Sequence, residues 1–353
     1  MNEVLPEIER WRARGDRVAL ATVVATRRSA PRPVGAKLAV SARGELAGSV
    51  SGGCVENEVY GHARDVLAGA GPRLVSFGIS DELALSVGLP CGGEIDVFVE
   101  ELPDTLLGRL ATVVEGREGA VLFTVVEGEQ LGAHLLVTEA GERFGDDLQV
   151  PGEHFTEALR GGRSRLLELQ TGARVFADVY GPPPRLLVFG AIDTAEALCQ
   201  VAKKLGWRTV VADARGRFAT AERIPSADEL IVAWPDEALA QVRPDFQTAV
   251  VVLTHDDQFD LPALEGALRT EAFYIGAIGS RRNQARRRER LVEAGLAEAE
   301  LERISGPCGL DIGAETPAET AISIMAEILA QRSRRAGGML KAAKGRIHAS
   351  ALA

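Results

Sequence analysis

The first half of the chain carries short, β-branched hydrophobic runs broken by glycine-rich corners, whereas in the second half apolar runs of strand length alternate with helical periodicities. Residues 18–26 (VALATVVAT) are apolar almost without interruption and predict a buried strand; residues 36–41 and the stretch ending near Val50, separated by the turn at Arg43-Gly44, predict a hairpin. Residues 5–14 predict a short helix with Pro6 in its first turn, where the missing amide has no helical partner to lose. Ser51-Gly52-Gly53 then breaks the chain before a helix predicted over residues 54–68, in which Val55, Val59, Ala63, Val66 and Leu67 recur at helical spacing. A second break, Leu89-Pro90-Cys91-Gly92-Gly93, leads into residues 94–100, whose alternation predicts a strand, and residues 110–114, 120–126 and 174–180 predict three more.

The pattern changes at Gly181-Pro182-Pro183-Pro184, a stiff extended stretch through which neither a helix nor a central strand continues. Beyond it, strand-like runs at 185–189, 209–212, 229–233, 249–253 and 273–278 are separated by helical segments such as 194–205, and a last helix is predicted over 317–332, with Thr316 as its cap and Pro317 in its first turn. This alternation builds a parallel sheet with helices on both faces. The expected fold is α/β: an α+β domain over residues 1–180, a Rossmann-like doubly wound parallel-sheet domain over 185–333, and a mobile tail over 334–353.

A length of 353 residues suits two domains of ordinary size. No apolar run approaches the roughly 20 residues that span a bilayer, so no membrane segment is expected. Residues 1–14 mix Glu, Arg and Trp without an apolar signal core, which predicts a cytoplasmic location and four cysteines kept as thiols. A net charge of −10 argues against nucleic acid as a partner, because polyanion affinity comes from Lys and Arg displacing counterions.

Within that frame, Cys54 combines glycines before it with a helix after it. In such a setting free amides and the helix dipole stabilise a thiolate, making it a better nucleophile and soft-metal ligand. The plainer alternative is a small buried hydrophobe, the account that fits Cys199 inside its helix. Cys91 has a Gly-Gly corner of its own, but its wide separation from Cys54 and the lack of a His cluster give no zinc-knuckle spacing, and no metal site is expected. In the second half Gly190-Ala191-Ile192-Asp193 takes the place of a phosphate-binding turn. Gly190 survives from that pattern, while Ile192 and Asp193 weaken ordinary dinucleotide binding by bulk and charge. Asp213 falls where a ribose-binding acid belongs, or caps a loop. His255 follows a strand and should emerge at the carboxyl edge, and Gly279-Ser280-Arg281 opens a helix whose amides, with Ser280 and Arg281, can cradle an anion. Arg286, Arg287, Arg288 and Arg290 are expected on a solvated face.

Thr22-Val23-Val24, the run Ser29-Ala30-Pro31-Arg32-Pro33-Val34-Gly35-Ala36, then Gly48-Ser49-Val50-Ser51-Gly52-Gly53-Cys54-Val55-Glu56 and Cys91-Gly92-Gly93 resemble, in order and spacing, the amino-terminal domain of the XdhC/CoxI family. Tyr274-Ile275-Gly276-Ala277-Ile278-Gly279-Ser280-Arg281-Arg282 and Gly309-Leu310-Asp311-Ile312-Gly313-Ala314-Glu315-Thr316-Pro317 resemble its Rossmann domain. The resemblance implies an accessory protein, more than a turnover enzyme, that binds molybdenum cofactor (molybdopterin) and supports its sulfuration with a cysteine desulfurase. It also implies delivery to the apo-enzyme of a molybdenum hydroxylase of the xanthine dehydrogenase type, and a homodimer. Carried onto this chain, Cys54 becomes the catalytic or cofactor contact, Ser51, Gly52, Gly53 and Glu56 shape its corner, Arg32 serves the anionic cofactor, and Cys91 is a second thiol. Where many relatives carry a Gly-x-Gly-His turn, this chain has Gly190-Ala191-Ile192-Asp193, which bears on whether a nucleotide binds there. Two other readings stay open: an NAD(P)-dependent oxidoreductase using Asp213 and His255, and a pterin-independent sulfur-transfer protein with a persulfide on Cys54.

Overall fold

The computed structural model describes residue 1 and residues 3–27, 30–78, 93–116 and 118–343. The chain divides into two compact units, Met1–Pro182 and Pro183–Ala343. Of the tail predicted over 334–353, residues 344–353 lie outside the described ones.

The first unit runs through α1 (Leu5–Ala13), β1 (Val18–Arg27), β2 (Lys37–Ser41), β3 (Leu46–Gly48), α2 (Glu56–Asp65), β4 (Arg73–Phe77), β5 (Glu94–Glu101) and α3 (Asp104–Gly116). It continues through β6 (Ala120–Glu127), β7 (His134–Thr138), β8 (Arg143–Gly145), α4 (Gly152–Gly161), β9 (Arg165–Glu168) and β10 (Arg174–Tyr180). The strands form two five-stranded antiparallel sheets, ordered β3-β2-β1-β5-β4 and β8-β7-β6-β10-β9. On one face of β1, Ala19, Ala21 and Val23 pack with Val55, Val59 and Ala63. On the other face Leu20 meets Leu122 and Leu136, and Val24 meets Val126 and Phe176 of the second sheet. A strand covered on both faces has no side to show to water, which is why its sequence lacks polar alternation.

Residues 110–114, read as a strand, belong instead to helix α3, whose buried stripe is Leu106, Leu107, Leu110 and Val113. A five-residue apolar window does not separate the two periods; the stripe shows only over the full length of the helix.

Polar side chains lie between the two sheets, and the charged ones among them are paired. Lys37 Nζ is 2.6 Å from Asp178 Oδ2 and 3.2 Å from Thr22 Oγ1. Asp178 also accepts from the Tyr180 hydroxyl at 2.5 Å and from Ser164 Oγ at 2.7 Å. His134 Nε2 lies 2.6 Å from Glu100 Oε2. Lys37, Glu100, His134 and Asp178 are all buried, where a charge without such a partner is strongly unfavourable.

The second unit consists of β11 (Arg185–Phe189), α5 (Asp193–Lys204), β12 (Arg208–Ala212), β13 (Glu229–Ile231), α6 (Pro235–Val242), β14 (Thr248–Val252), α7 (Asp257–Leu268), β15 (Tyr274–Ala277), α8 (Arg281–Glu293), α9 (Glu298–Leu301), β16 (Ile304–Ser305) and α10 (Pro317–Arg332). Every pairing is parallel, and the order β13-β12-β11-β14-β15-β16 starts at the centre and grows outward both ways, as in dinucleotide-binding folds. Leu198, Ala202, Ile324 and Ile328 cover one face of this sheet, and Leu239, Leu264, Leu268 and Leu291 the other. The doubly wound sheet matches the sequence expectation; the two-residue β16 was too short to leave a pattern. Helix α10 begins as predicted, with Thr316 accepting from the Glu319 amide and Pro317 in the first turn.

Candidate functional site

The glycine-rich corner between β3 and α2 is wired by three side chains. The Glu56 carboxylate accepts from Ser49 Oγ at 2.6 Å, from the amides of Val50, Ser51 and Gly53 at 3.3, 2.9 and 2.8 Å, and from the Ser51 hydroxyl. Ser51 Oγ in turn accepts from the amides of Cys54 and Val55 at 3.0 and 2.9 Å, and Ser49 Oγ from Gly52 at 2.8 Å. Every amide from Val50 to Val55 is thereby committed within the corner. Burial alone would raise the Glu56 pKa, but the Ser49 and Ser51 hydroxyls and the Ser51 amide bring it down to about 2. Gly52 and Gly53 sit at φ +74° and +109°, left-handed values that explain the glycine pair.

Cys54 is half-buried beside Val55, Val59 and Phe77 in the core under α2. The helix starts two residues later than the sequence predicted, with Val55 as its cap. The expectation of free amides around the thiol is corrected as well, since Glu56 and the two serines take them. What remains on the corner is a backbone whose amides are all hydrogen-bonded, carrying a half-buried cysteine.

Arg32 lies on the connection between β1 and β2 and is paired with Glu3. That connection leaves the same end of the sheet as the corner, because Leu38 near the start of β2 pairs with Gly48 at the end of β3. Ala30 on the same connection packs in the cluster that holds Cys54. Cys91 lies outside the described residues. Cys199 is fully buried, its thiol pushed up to about 12 by desolvation, as expected of a core cysteine.

In the second unit the remaining candidates share the carboxyl edge of the sheet. Gly190 has φ +104°, and a Cβ there would lie 2.9 Å from the Thr254 side chain. Asp213 is buried and fully engaged: it accepts from the Ala191 amide at 3.0 Å, the Arg215 amide and Nε at 2.9 Å each, and Arg215 Nη2 at 2.8 Å. It thus ties the glycine turn to the loop after β12. Asp193 is exposed in the first turn of α5, with Arg223 at 4.0 Å. His255 is exposed after β14, Gly279 takes φ +137°, Ser280 caps α8 by accepting from Asn283, and Arg281 is exposed.

One arginine departs from its expected solvated face. Arg287 is 3% exposed; its Nε lies 2.9 Å from Asp260 Oδ2, and it donates to the carbonyls of Ile278 at 2.6 Å and Thr254 at 3.1 Å. It fastens the ends of β14 and β15, a role that a run of arginines hides. Arg286 and Arg290 share Asp257 on the surface, and Arg288 pairs with Glu302. Among the described residues, no helix is long and apolar enough to cross a membrane.

Two family models match the chain: the XdhC and CoxI family over residues 11–78, and the XdhC Rossmann domain over 186–328. A protein described as a probable xanthine dehydrogenase subunit from Bacillus subtilis (strain 168) is 30% identical, over 90% of this chain and 94% of its own length. The molybdenum cofactor insertion chaperone PaoD of Escherichia coli (strain K12) is 27% identical over 90% of this chain and 84% of its own. A crystal structure described as a xanthine dehydrogenase from Bacillus halodurans superposes with a TM-score of 0.70 at 26% identity, covering 95% of this chain and 98% of the other. Matches of this extent to both halves, in this order, establish that the chain belongs to the XdhC and CoxI family.

Proposed function

We propose that this protein is a molybdenum cofactor maturation factor that holds and protects the cofactor, supports its sulfuration and delivers it to a molybdenum hydroxylase of the xanthine dehydrogenase type. The observation that carries the reading is Cys54, partly exposed on a corner whose backbone donors are all taken up by Ser49, Ser51 and Glu56. The donor set fits the cofactor at its soft end: a thiolate suits molybdenum or sulfur, whereas no amide from Val50 to Val55 is left over for a phosphate. Arg32 is the cation offered to the anionic part. Its pair with the 64% exposed Glu3 side chain is a surface pair that yields at little cost.

When bound, the cofactor supplies the metal centre that the client enzyme uses. The chain's own part is to present Cys54 in one orientation, which the corner achieves in advance of binding and so without an ordering cost at that moment. In this reading the partners are the client apo-enzyme and a cysteine desulfurase, the assembly is a homodimer, and the location is cytoplasmic. The oxidoreductase alternative gains nothing from Asp213, whose carboxylate is occupied by Ala191 and Arg215.

The test is anaerobic titration of the purified protein with molybdenum cofactor, measuring molybdenum and pterin retained after gel filtration, with Cys54→Ala and an NAD(P) binding control alongside. Stoichiometric retention that is lost in a folded Cys54→Ala is the expected result. Unchanged retention removes Cys54 from the site, and no retention with clear NAD(P) binding turns the reading over to the oxidoreductase.

A further inference from the structure

The two halves of the first unit are built alike. Each runs helix, three strands, helix, two strands, and each sheet arranges its five strands in the same order, third-second-first-fifth-fourth. The register agrees in detail. Thr22 faces Lys37 across β1 and β2, and Thr124 faces His134 across β6 and β7. Thr22 faces Phe98 and Leu20 faces Glu100 in one sheet; Thr124 faces Phe176 and Leu122 faces Asp178 in the other. The Gly35 amide donates to Val23 and the Val23 amide to Ala36 at 2.8 and 2.9 Å, as Gly132 does to Val125 and Val125 to Ala133 at the same distances. A Cβ on Gly48 would strike the Lys37 carbonyl at 2.3 Å, and one on Gly145 the His134 carbonyl at 2.3 Å. The sequence follows: Gly35-Ala36-x-Leu38-x-Val40 and Gly44-Glu45-x-x-Gly48 reappear as Gly132-Ala133-x-Leu135-x-Val137 and Gly141-Glu142-x-x-Gly145. Even the buried pairs are reciprocal, the cation opening β2 reaching the acid of β10 and the cation opening β7 reaching the acid of β5.

The copies differ most in the connections at one end, while at the other the link from α2 to β4, residues 66–72, is also longer than that from α4 to β9, residues 162–164. The turns between β2 and β3 and between β7 and β8, residues 42–45 and 139–142, are equal in length. At the opposite end every connection is longer in the first copy: 28–36 against 128–133, and 49–55 against 146–151. The link from Phe77 to Glu94 is likewise longer than that from Glu168 to Arg174, although residues 79–92 lie outside the described ones. The thiol corner is among these additions. In its place the second copy has Asp146-Asp147-Leu148-Gln149-Val150-Pro151, which holds no cysteine.

We propose that the first unit is a duplicated module and that ligand handling is confined to the thiol corner of the first copy, residues 49–56, giving one such corner per chain on a scaffold whose plain form the second copy preserves. Two copies that share register, glycines and reciprocal ion pairs need the same parts to fold, so what the first copy alone carries is not required for folding. The cofactor readout below rests on the proposed function; the folding readout does not.

The experiment replaces residues 49–55 of the full-length protein with the six residues 146–151 of the second copy. A parallel variant carries Asp147→Ala with Gln149→Ala, both exposed on the plain connection. The graft should keep a single cooperative transition, at a melting temperature lowered at least as far as in Glu56→Gln because every donor that Glu56 accepts from is removed with residues 49–53, and should lose molybdenum and pterin retention. The Asp147→Ala, Gln149→Ala protein should keep retention unchanged at one equivalent per chain. A graft that loses its cooperative transition overturns the equivalence of the copies, and Gly48→Ala and Gly145→Ala provide a second check, since equivalent positions must lose comparable stability. Retention of two equivalents, or its loss in the Asp147→Ala, Gln149→Ala variant, overturns confinement to the first copy. Wild-type protein that retains no cofactor defeats the proposed function instead, and the melting comparison still decides the duplication.

Discussion

At the scale of single residues, Glu56 shows how a carboxylate can organise a site it does not chemically serve. It gathers two serine hydroxyls and three amides, and the serines gather the rest. Its pKa is depressed to about 2 from 4.5, so its stabilising contribution is complete above about pH 4.5 and is lost as pH falls through about 2. Glu56→Gln should therefore lower the melting temperature at neutral pH, increase the labelling rate of Cys54 by a thiol reagent, and show a melting gap from wild type that narrows between pH 4.5 and about 2. A gap that stays constant with pH would mean that the charge is not what the corner uses. The sequence pattern placed Cys54 behind its glycines at the head of a helix, because glycine pairs and a following helix leave a pattern, and it was the family resemblance that added Ser51 and Glu56 to that corner. Both missed that the amides are already spoken for, since a sequence states which donors exist and not which acceptor reaches them first.

At the scale of elements, the buried pairs decide how the two sheets of the first unit meet. Lys37→Met leaves the Asp178 carboxylate buried beside Tyr180 and Ser164 without its cation, which should cost about 3–5 kcal/mol in denaturant unfolding. Lys37→Met with Asp178→Leu should recover much of that loss, because two apolar side chains need no partner; a double variant no better than the single one would refute the pairing argument. At His134, burial would lower the pKa, but Glu100, and to a lesser extent Asp146, raises it above 6.5. A raised histidine stabilises fully below the unfolded value and loses that stabilisation as pH rises through the folded one. The melting temperature should accordingly fall as pH is raised beyond 6.5, and His134→Gln should flatten that slope. None of this was legible beforehand. A lysine or histidine at the start of a strand looks like a solvent-facing residue until a second sheet covers it, and residues 110–114 look like a strand until the flanking turns of α3 are counted. Arg287 was hidden among neighbours that do face solvent.

At the scale of the whole molecule, the alternation of strands and helices after the proline run was enough to anticipate the parallel sheet, since a buried parallel strand must be apolar throughout. The duplication of the first unit was not read, because its matches are spread over hairpins whose connecting loops differ in length. It has a consequence for synthesis. Each sheet is contiguous in the chain, the first complete at Glu101 and the second only at Tyr180. While the ribosome is between those points, the emerged sheet shows water the face that will later be covered, with Leu20, Val24 and Phe98 on it and Lys37 and Glu100 set among them. Those two opposite charges make the uncovered face a poor template for other nascent chains. Their permanent partners, Asp178 and His134, arrive with the second copy, so the same two charges that lock the finished unit through ion pairs guard it, still unpaired, while it is half made.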